Sequence, residues 1–437
     1  MISDPIRVCE LLVGLGEVTV LGAVDEADGP VRVHVETRSP HPTCPGCSSV
    51  VWAKDQRPVE LVDLPAFGRP ARLVWHKRRW RCPTPVCAVG SFTETARHIA
   101  AARLVMTDRA GRWVTEQVGR CGRTVSEVAA ELGCDSQTVN WHTINDTVLA
   151  YGTPLVEDPD RIGEVDALGL DETLFARLGR WRTQHWSTSI VDVRRGQLLD
   201  LIPGRSSTGA CAWFAERDRA WLDRIAWATL DLSGPWRLAF TTMLPMAVQV
   251  ADPFHVMKLA NQRLDDVRRR VQNETLGHRG RRDDPLYRSR RLLTRADERL
   301  NETGRDRLVG LLEAGDPRGE VRMAWHAKEV VRSIYHHTDP DLAIEFVARL
   351  GTDLQDESCP PEIRQLGRTI TKWRHEISAW HRSHVSNGPT EAANNLIKVV
   401  KRIAFGFTSF RNYRIRALLY AGKPNWNLLA TITPTSP

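Results

Sequence analysis

A chain of 437 residues is too long for one ordinary core and sets an expectation of about two to four domains. Hydrophobic residues make up 42%, enough for globular cores, and a formal net charge of +7 favours a polyanionic partner such as nucleic acid without bearing on fold. No apolar stretch approaches the roughly 18 residues that span a bilayer, and "MISDPIRVCELLVGLGEVTVLG" has no basic leader before its apolar run, so membrane and secreted classes are set aside and a soluble, cytoplasmic protein is expected.

Residues 1–100 alternate short β-prone runs, "VTVLGAVDE", "VRVHVETRS" and "ARLVWHKRRWRC", with turn residues, which predicts a β-rich N-terminal domain. Four of the nine cysteines fall here in two close pairs, Cys44 with Cys47 in "HPTCPGC" and Cys82 with Cys87 in "RWRCPTPVC". Two thiolate pairs on turns complete the tetrahedron that Zn²⁺ prefers, and a site closed by four thiolates folds its domain and does no catalysis. The bland alternative is a set of unrelated buried thiols, and His41 and His76 stand nearby as substitute ligands. Cys9, Cys121, Cys134, Cys211 and Cys359 are scattered, a pattern that suits a reducing compartment better than a disulfide framework. The fifteen tryptophans are read mainly as core rather than as base-stacking surfaces.

From 107 to 149 the pattern turns helical. "TVSEVAAELGCDSQTVNWHTIND" sets Val128, Ala129, Leu132, Val139 and Ile144 inward with Gly133 at a turn, which fits a helix-turn-helix whose second helix enters the major groove. Ser136, Gln137 and Asn140 would then face bases or phosphates; the competing reading is a plain helical pair. "YGTPLVEDPDR" at 151–161 carries two prolines and a glycine and reads as a linker, closing a segment 101–160.

Residues 161–255 read as three antiparallel strands, a helix, a strand, a helix and a fifth strand, with Asp171 on the first, Asp231 ending the fourth and Asp252 ending the fifth. Right-handed crossovers place the fourth strand beside the first and the fifth beyond it. At about 4.8 Å per strand, Asp171 and Asp231 can share a metal pair whose ions lie about 3.5–4 Å apart, while Asp252 stands about 9–10 Å from Asp171. Asp252 followed by Pro253 also reads as a helix N-cap whose carboxylate accepts from the first turn, with His255 one turn in at the rim of the site.

Residues 256–384 then run helix after helix, rich in arginine, and 385–437 open with "SNGP", a helix start that delivers Glu391 as a third carboxylate. Leu396, Val399, Val400 and Ile403 are expected as its buried stripe. Glu391, Asn395, Lys398 and Arg402 fall on another line, a metal ligand followed by groups for DNA phosphates.

Together "CPGC", "WRCPTPVC", the helix-turn-helix, "GLDETLFAR", "LDLSGPWR", "VADPFHVMK" and "SNGPTEAANNLIKVVKRIAFGFTSFRNYRIRALL" make the chain resemble, over nearly its whole length, the ISL-three family of bacterial insertion-sequence transposases. The resemblance implies a multidomain α/β protein. A ribonuclease-H-like catalytic core with a mixed five-stranded sheet (161–255 and 385–437) would be interrupted by an all-α insertion (256–384), and preceded by a zinc-binding domain and a helix-turn-helix. Carried over by motif, Asp171, Asp231 and Glu391 are the catalytic carboxylates of a DDE transposase and Lys398 acts on terminal DNA. Cys44, Cys47, Cys82 and Cys87 bind zinc, and Asp252 with His255 resembles an accessory motif of transposases with this insertion.

"DPFH", in place of a more basic second residue, and "GPW" after Asp231 depart from the pattern. The implied chemistry is cleavage and strand transfer with two Mg²⁺ ions, Mn²⁺ able to substitute, on double-stranded DNA carrying terminal inverted repeats and on target DNA. A homo-oligomer, dimer or higher, is expected on paired ends, in the bacterial cytoplasm with the nucleoid. The alternatives are a silent zinc and helix-turn-helix regulator derived from such an enzyme, and a hydrolytic nuclease of the same fold.

Overall fold

Alternating apolar and polar residues and turn-forming glycines build the strands of both halves of the chain; the computed structural model describes residues 4–25, 27, 29–38, 42–133 and 140–434. The chain divides into two units, Met1–Arg161 with Leu396–Pro437, and Ile162–Asn395.

In the first unit, β1 (Val18–Val24), β2 (Val31–Thr37), β3 (Trp52–Ala66), β4 (Arg69–Arg81) and β5 (Ser91–Thr93) form one sheet in the order β1-β2-β4-β3, with β5 on β4. β2 and β4 are parallel and the other pairs antiparallel. Phe67 and Gly68 both take positive φ in the tight turn that joins β3 to β4, as a two-residue hairpin loop demands. Leu73 and Trp75, two apart on one face of β4, are buried with Val18, Val35, Leu61 and Ile99, whereas Trp80 on the other face is buried with the cysteines.

The helices Asp108–Thr115, Val125–Glu131 and Trp141–Val156 follow, with the helix Phe410–Ala421 packed on the last of these. Thr124 and Glu127 form a reciprocal capping box at the second. The expected linker at 151–161 is a correction: the helix continues through Pro154 to Val156, and Pro159–Arg161 is a 3-10 turn. Packing overrides local breakers here, since Tyr151 and Leu155 are buried and a Cβ at Gly152 would lie 2.8 Å from Leu419.

The second unit is built on β6 (Ala167–Leu178), β7 (Thr183–Asp192), β8 (Gln197–Pro203), β9 (Trp227–Leu230) and β10 (Val248–Ala251), ordered β10-β9-β6-β7-β8. β6, β7 and β8 are antiparallel neighbours, while β9 runs parallel to both β6 and β10, the order that crossover handedness requires. Leu168 and Leu170 point to a core shared with Trp213 and Phe214 of the helix Ser207–Ala215 and with Trp236 and Phe240 of the helix Gly234–Met243. The alternate residues of β6 point the other way, to the start of the helix Gly388–Ile403.

Seven α-helices between Pro253 and Ser383 form the arginine-rich stretch. The first, Pro253–Leu276, buries Val256, Ala260, Leu264, Val267 and Val271, a stripe readable from spacing alone. Arg270 on that helix bonds Glu362 at 2.7 Å and Glu320 at 2.5 Å, which ties three helices through one guanidinium.

Gly169 on β6 is where helix and sheet come closest. A Cβ there would fall within 2.8 Å of Asn387 Oδ1 and Thr229 Oγ1 and nearer still to Thr390 Oγ1. Gly169→Ala is expected to destabilise the protein by about 1–3 kcal/mol through overpacking, measured by urea unfolding. Adding Thr390→Ala should recover part of that loss, and no recovery would count against close approach as the reason for glycine.

Candidate zinc site and carboxylate site

Two knuckles present the four cysteines. In the first, Ser48 N donates to Cys44 O at 2.8 Å and Cys44 N to Ser49 O at 2.9 Å; in the second, Cys87 N donates to Thr84 O at 3.1 Å and Cys82 N to Gly90 O at 2.9 Å. Gly46 has no room for a Cβ, which would lie 2.6 Å from Val89. The four Sγ atoms lie within 4.8 Å of one another, with Cys44 to Cys87 at 3.7 Å and Cys47 to Cys82 at 3.4 Å. A tetrahedral ion with Zn–S near 2.3 Å puts its sulfurs about 3.8 Å apart, so the set fits zinc. His76 lies elsewhere, its Nε2 2.9 Å from His34 Nδ1, and His41 lies outside the described residues.

The carboxylates gather where β6 and β9 run side by side. Asp171 sits within β6, its Oδ1 accepting from Glu172 N at 2.8 Å and its Oδ2 from Asn394 Nδ2 at 2.8 Å. Asp231 follows β9, and its Oδ1 is buried with no hydrogen-bond partner. Burial, then the charges of Glu172 and Asp171, push the Asp231 carboxyl up to about 6; burial also raises Asp171. An orphaned oxygen among crowded carboxylates is the environment that a divalent cation relieves.

Glu172 is the residue that sequence reasoning missed. Its carboxylate comes within 4.8 Å of those of Asp171 and Asp231. Neighbours in a strand point to opposite faces, so Glu172 reaches the cluster from the side opposite Asp171, where Trp236 Nε1 donates to its Oε2 at 3.2 Å. The adjacent acids in "LDET" and the tryptophan of "GPW" were the available signals. Asn394, on the helix Gly388–Ile403, and Asn387, just before it, were missed as well; both are buried polar residues, whereas the polar line read on that helix was Glu391, Asn395, Lys398 and Arg402.

Asp252 stands at the N-cap position of the helix Pro253–Leu276, yet its side chain makes no cap hydrogen bond, which corrects the expectation that it accepts from the first turn. It is buried, 3% exposed, and its oxygens face stronger partners: Asn387 N donates to Oδ1 at 3.0 Å and His255 Nδ1 lies 3.0 Å from Oδ2. That contact raises the His255 pKa, and the far ring nitrogen, Nε2, lies 3.7 Å from Glu391 Oε1. Glu391 thus faces His255 and stands outside the tight group of Asp171, Glu172 and Asp231.

The helix Gly388–Ile403 buries Thr390, Ala393, Asn394, Ile397 and Val400, whereas Leu396 is 42% exposed and Val399 and Ile403 only partly covered. The expected stripe is therefore rotated, because small polar residues at 390 and 394 fit the close approach at Gly169 and Asp171 better than leucine does. Asn395, Lys398 and Arg402 are exposed. Asn140 caps the helix Trp141–Val156, its Oδ1 accepting from His142 N and Thr143 N, so that oxygen is committed locally. Ser136 and Gln137 lie outside the described residues.

Three measurements follow from these geometries. The purified protein should carry one zinc per chain, lost on Cys44→Ser together with the fold of the knuckles. Raised in the folded state, the Asp231 pKa makes a metal-free contribution to stability that is complete below the unfolded pKa and lost as pH rises through about 6. A bound cation must displace that proton, so the Mg²⁺-induced rise in Tm should be larger at pH 8 than at pH 5, and Asp231→Asn should remove most of the difference. Glu172→Gln should weaken Mn²⁺ binding about tenfold, read by titration.

Residues 168–417 match the ISL3 type of DDE transposase, described as "Transposase", and residues 40–87 match the zinc-finger of transposase IS204/IS1001/IS1096/IS1165. The chain is 28% identical over 359 residues to the transposase for insertion sequence element IS1001 of Bordetella parapertussis, covering 79% of this chain and 80% of that one. It is 26% identical over 302 residues to the transposase for insertion sequence element IS1557 of Mycobacterium tuberculosis, covering 63% of this chain and 64% of that relative, a little under two thirds of it. With cysteines set for one ion and carboxylates gathered on adjacent parallel strands, the chain belongs to the ISL3 family of insertion-sequence transposases.

Proposed function

We propose that this chain is a DDE transposase that binds the terminal inverted repeats of its insertion sequence, cleaves the DNA strands there and transfers them to target DNA. The observation that carries the reading is the meeting of Asp171 and Asp231 across β6 and β9, with a buried Asp231 oxygen left without a protein partner. When bound, two Mg²⁺ ions, or Mn²⁺ in their place, supply the Lewis acidity and the lowered water pKa that in-line attack on a phosphodiester needs.

The chain's own groups do the arranging. Asp171 and Asp231 would hold the cations, with Glu172 adding charge from the opposite face, and Glu391, which faces His255 just outside that group, would complete the set from its helix. Asn394 fixes the Asp171 carboxylate, and Asp252 holds His255 against Glu391. Lys398 and Arg402, about two and three turns beyond Glu391 on exposed positions, suit phosphates of the terminal DNA, with Asn395 beside them.

In this reading 161–255 with 385–437 form a ribonuclease-H-like core, a view supported by the β10-β9-β6-β7-β8 order, and 256–384 is its helical insertion. Residues 1–100 form the zinc-binding domain and 101–160 the helix-turn-helix that reads the repeats through Ser136, Gln137 and Asn140. Paired ends call for a homo-oligomer, working on the nucleoid in the cytoplasm. Among the described residues no helix is long and apolar enough to cross a membrane.

With Mg²⁺ and a duplex carrying the element's ends, the wild-type protein should nick at the ends. Asp171→Asn, Asp231→Asn and Glu391→Gln should each bind the duplex and lose cleavage by about a thousandfold or more, in line with loss of a group that stabilises transition-state charge. Cleavage kept by Asp231→Asn but lost by Asp252→Asn would transfer the second catalytic role to Asp252. Binding without cleavage by the wild type would favour the silent regulator.

A further inference from the structure

The paired ends of β3 and β4 carry a face with no use so far. Cross-strand partners share a face in an antiparallel pair, and the register sets Trp52 opposite Arg81, Asp55 opposite Arg79 and Arg57 opposite Lys77. The next pair along, Val59 with Trp75, enters the sheet's core. β5 extends the same face with Ser91 and Thr93, paired to Arg81 and Arg79. One surface therefore presents Arg57, Lys77, Arg79 and Arg81, an exposed tryptophan, two exposed hydroxyls and a single acid.

The two sides of this ribbon treat charge in opposite ways. On the far side, Arg78 pairs with Glu36 at 3.4 Å, its backbone N–H donates to Glu94, and Trp80 is buried beside the cysteines. On the near side Arg79 has Asp55 at 3.3 Å, and the partly buried Lys77 lies in the field of Glu94 with its ammonium over the Trp75 ring at 4.1 Å. Arg57 and Arg81 make no ion pair among the described residues, and Trp52 is 71% exposed. Guanidinium groups without an ion pair beside an exposed indole form a surface suited to a polyanion. Alternate residues of a strand repeat every ~6.8 Å, about the rise along the helix axis of two phosphates on one strand of duplex DNA.

We infer that this ribbon face, comprising Trp52, Arg57, Lys77, Arg79 and Arg81, is a binding surface for the sugar-phosphate backbone of duplex DNA, stiffened by the neighbouring cysteine site. The occupant follows from charge complementarity and from the transposase reading, on which the inference rests. Contacts to phosphate position a protein without reading sequence. The ribbon's role is thus to hold the duplex while another element reads the repeat.

The test uses the full-length protein and two fluorescein-labelled duplexes, one cut from the element's end and one of scrambled sequence, titrated at several salt concentrations. Arg57→Gln with Arg81→Gln should bind both about tenfold more weakly at about 0.1 M salt. The slope of log affinity against log salt should become shallower by about 1.8, the value for two lost phosphate contacts. Arg57→Lys with Arg81→Lys should restore most of the affinity, and all variants should keep the wild-type zinc content and Tm. Unchanged affinity and slope in the glutamine variant, with the wild type binding, overturns the ribbon assignment and leaves the transposase reading standing. A wild type that binds neither duplex overturns both.

Discussion

The carboxylate-bearing unit of the molecule depends on one close approach, that of the start of the helix Gly388–Ile403 to β6 at Gly169. Only a residue without a Cβ admits Thr390, Asn387 and Thr229 at that point. The consequences radiate from there. Asn394, one turn beyond Thr390, reaches Asp171 two residues along the strand, and Asn387 donates its backbone N–H to Asp252. Asp252 in turn faces His255, and His255 faces Glu391 on the same helix. Carboxylates that repel one another are held by donors from a single helix start, whose seat depends on the absence of a methyl group.

Charge in this protein has to be sorted by what it touches. The arginines of the helical stretch look from composition like a DNA surface. Several are internal struts instead: Arg270 bonds Glu362 and Glu320, and the buried Arg268 bonds Asp265 at 2.8 Å and Gln272 at 2.9 Å. The ribbon of β3 and β4 is the reverse case, a short stretch in which Arg57 and Arg81 on one face are exposed without an ion pair among the described residues. Net charge is one number for both situations, and pairing is what distinguishes them.

The departures from expectation share a cause. Asp252 before Pro253 has the form of a helix cap, but a backbone N–H and an imidazole from outside that first turn compete for its oxygens and win. The stretch 151–161 has linker composition, yet Tyr151 and Leu155 are buried and carry the helix through Pro154. The helix bearing Glu391 buries threonine and asparagine where leucine and valine were expected, since its partner surface is a glycine and a carboxylate rather than an apolar sheet. In each, a contact made far along the chain outweighs a local preference.

By itself the sequence determined what short-range chemistry can encode. It gave the order of the strands, whose handed crossovers leave one arrangement of β9 and β10 beside β6. It also carried the two cysteine pairs that turn geometry presents to one ion, the apolar stripe of the long helix from Pro253, and the aspartates brought together by adjacent parallel strands. Only the tertiary structure decided that Glu172 joins Asp171 and Asp231, because its orientation rests on an indole 64 residues away. The same holds for the face of the Glu391 helix that turns inward and for the partners of Asp252. Those are set by which surfaces meet, and a contact between distant segments leaves no periodic mark in either.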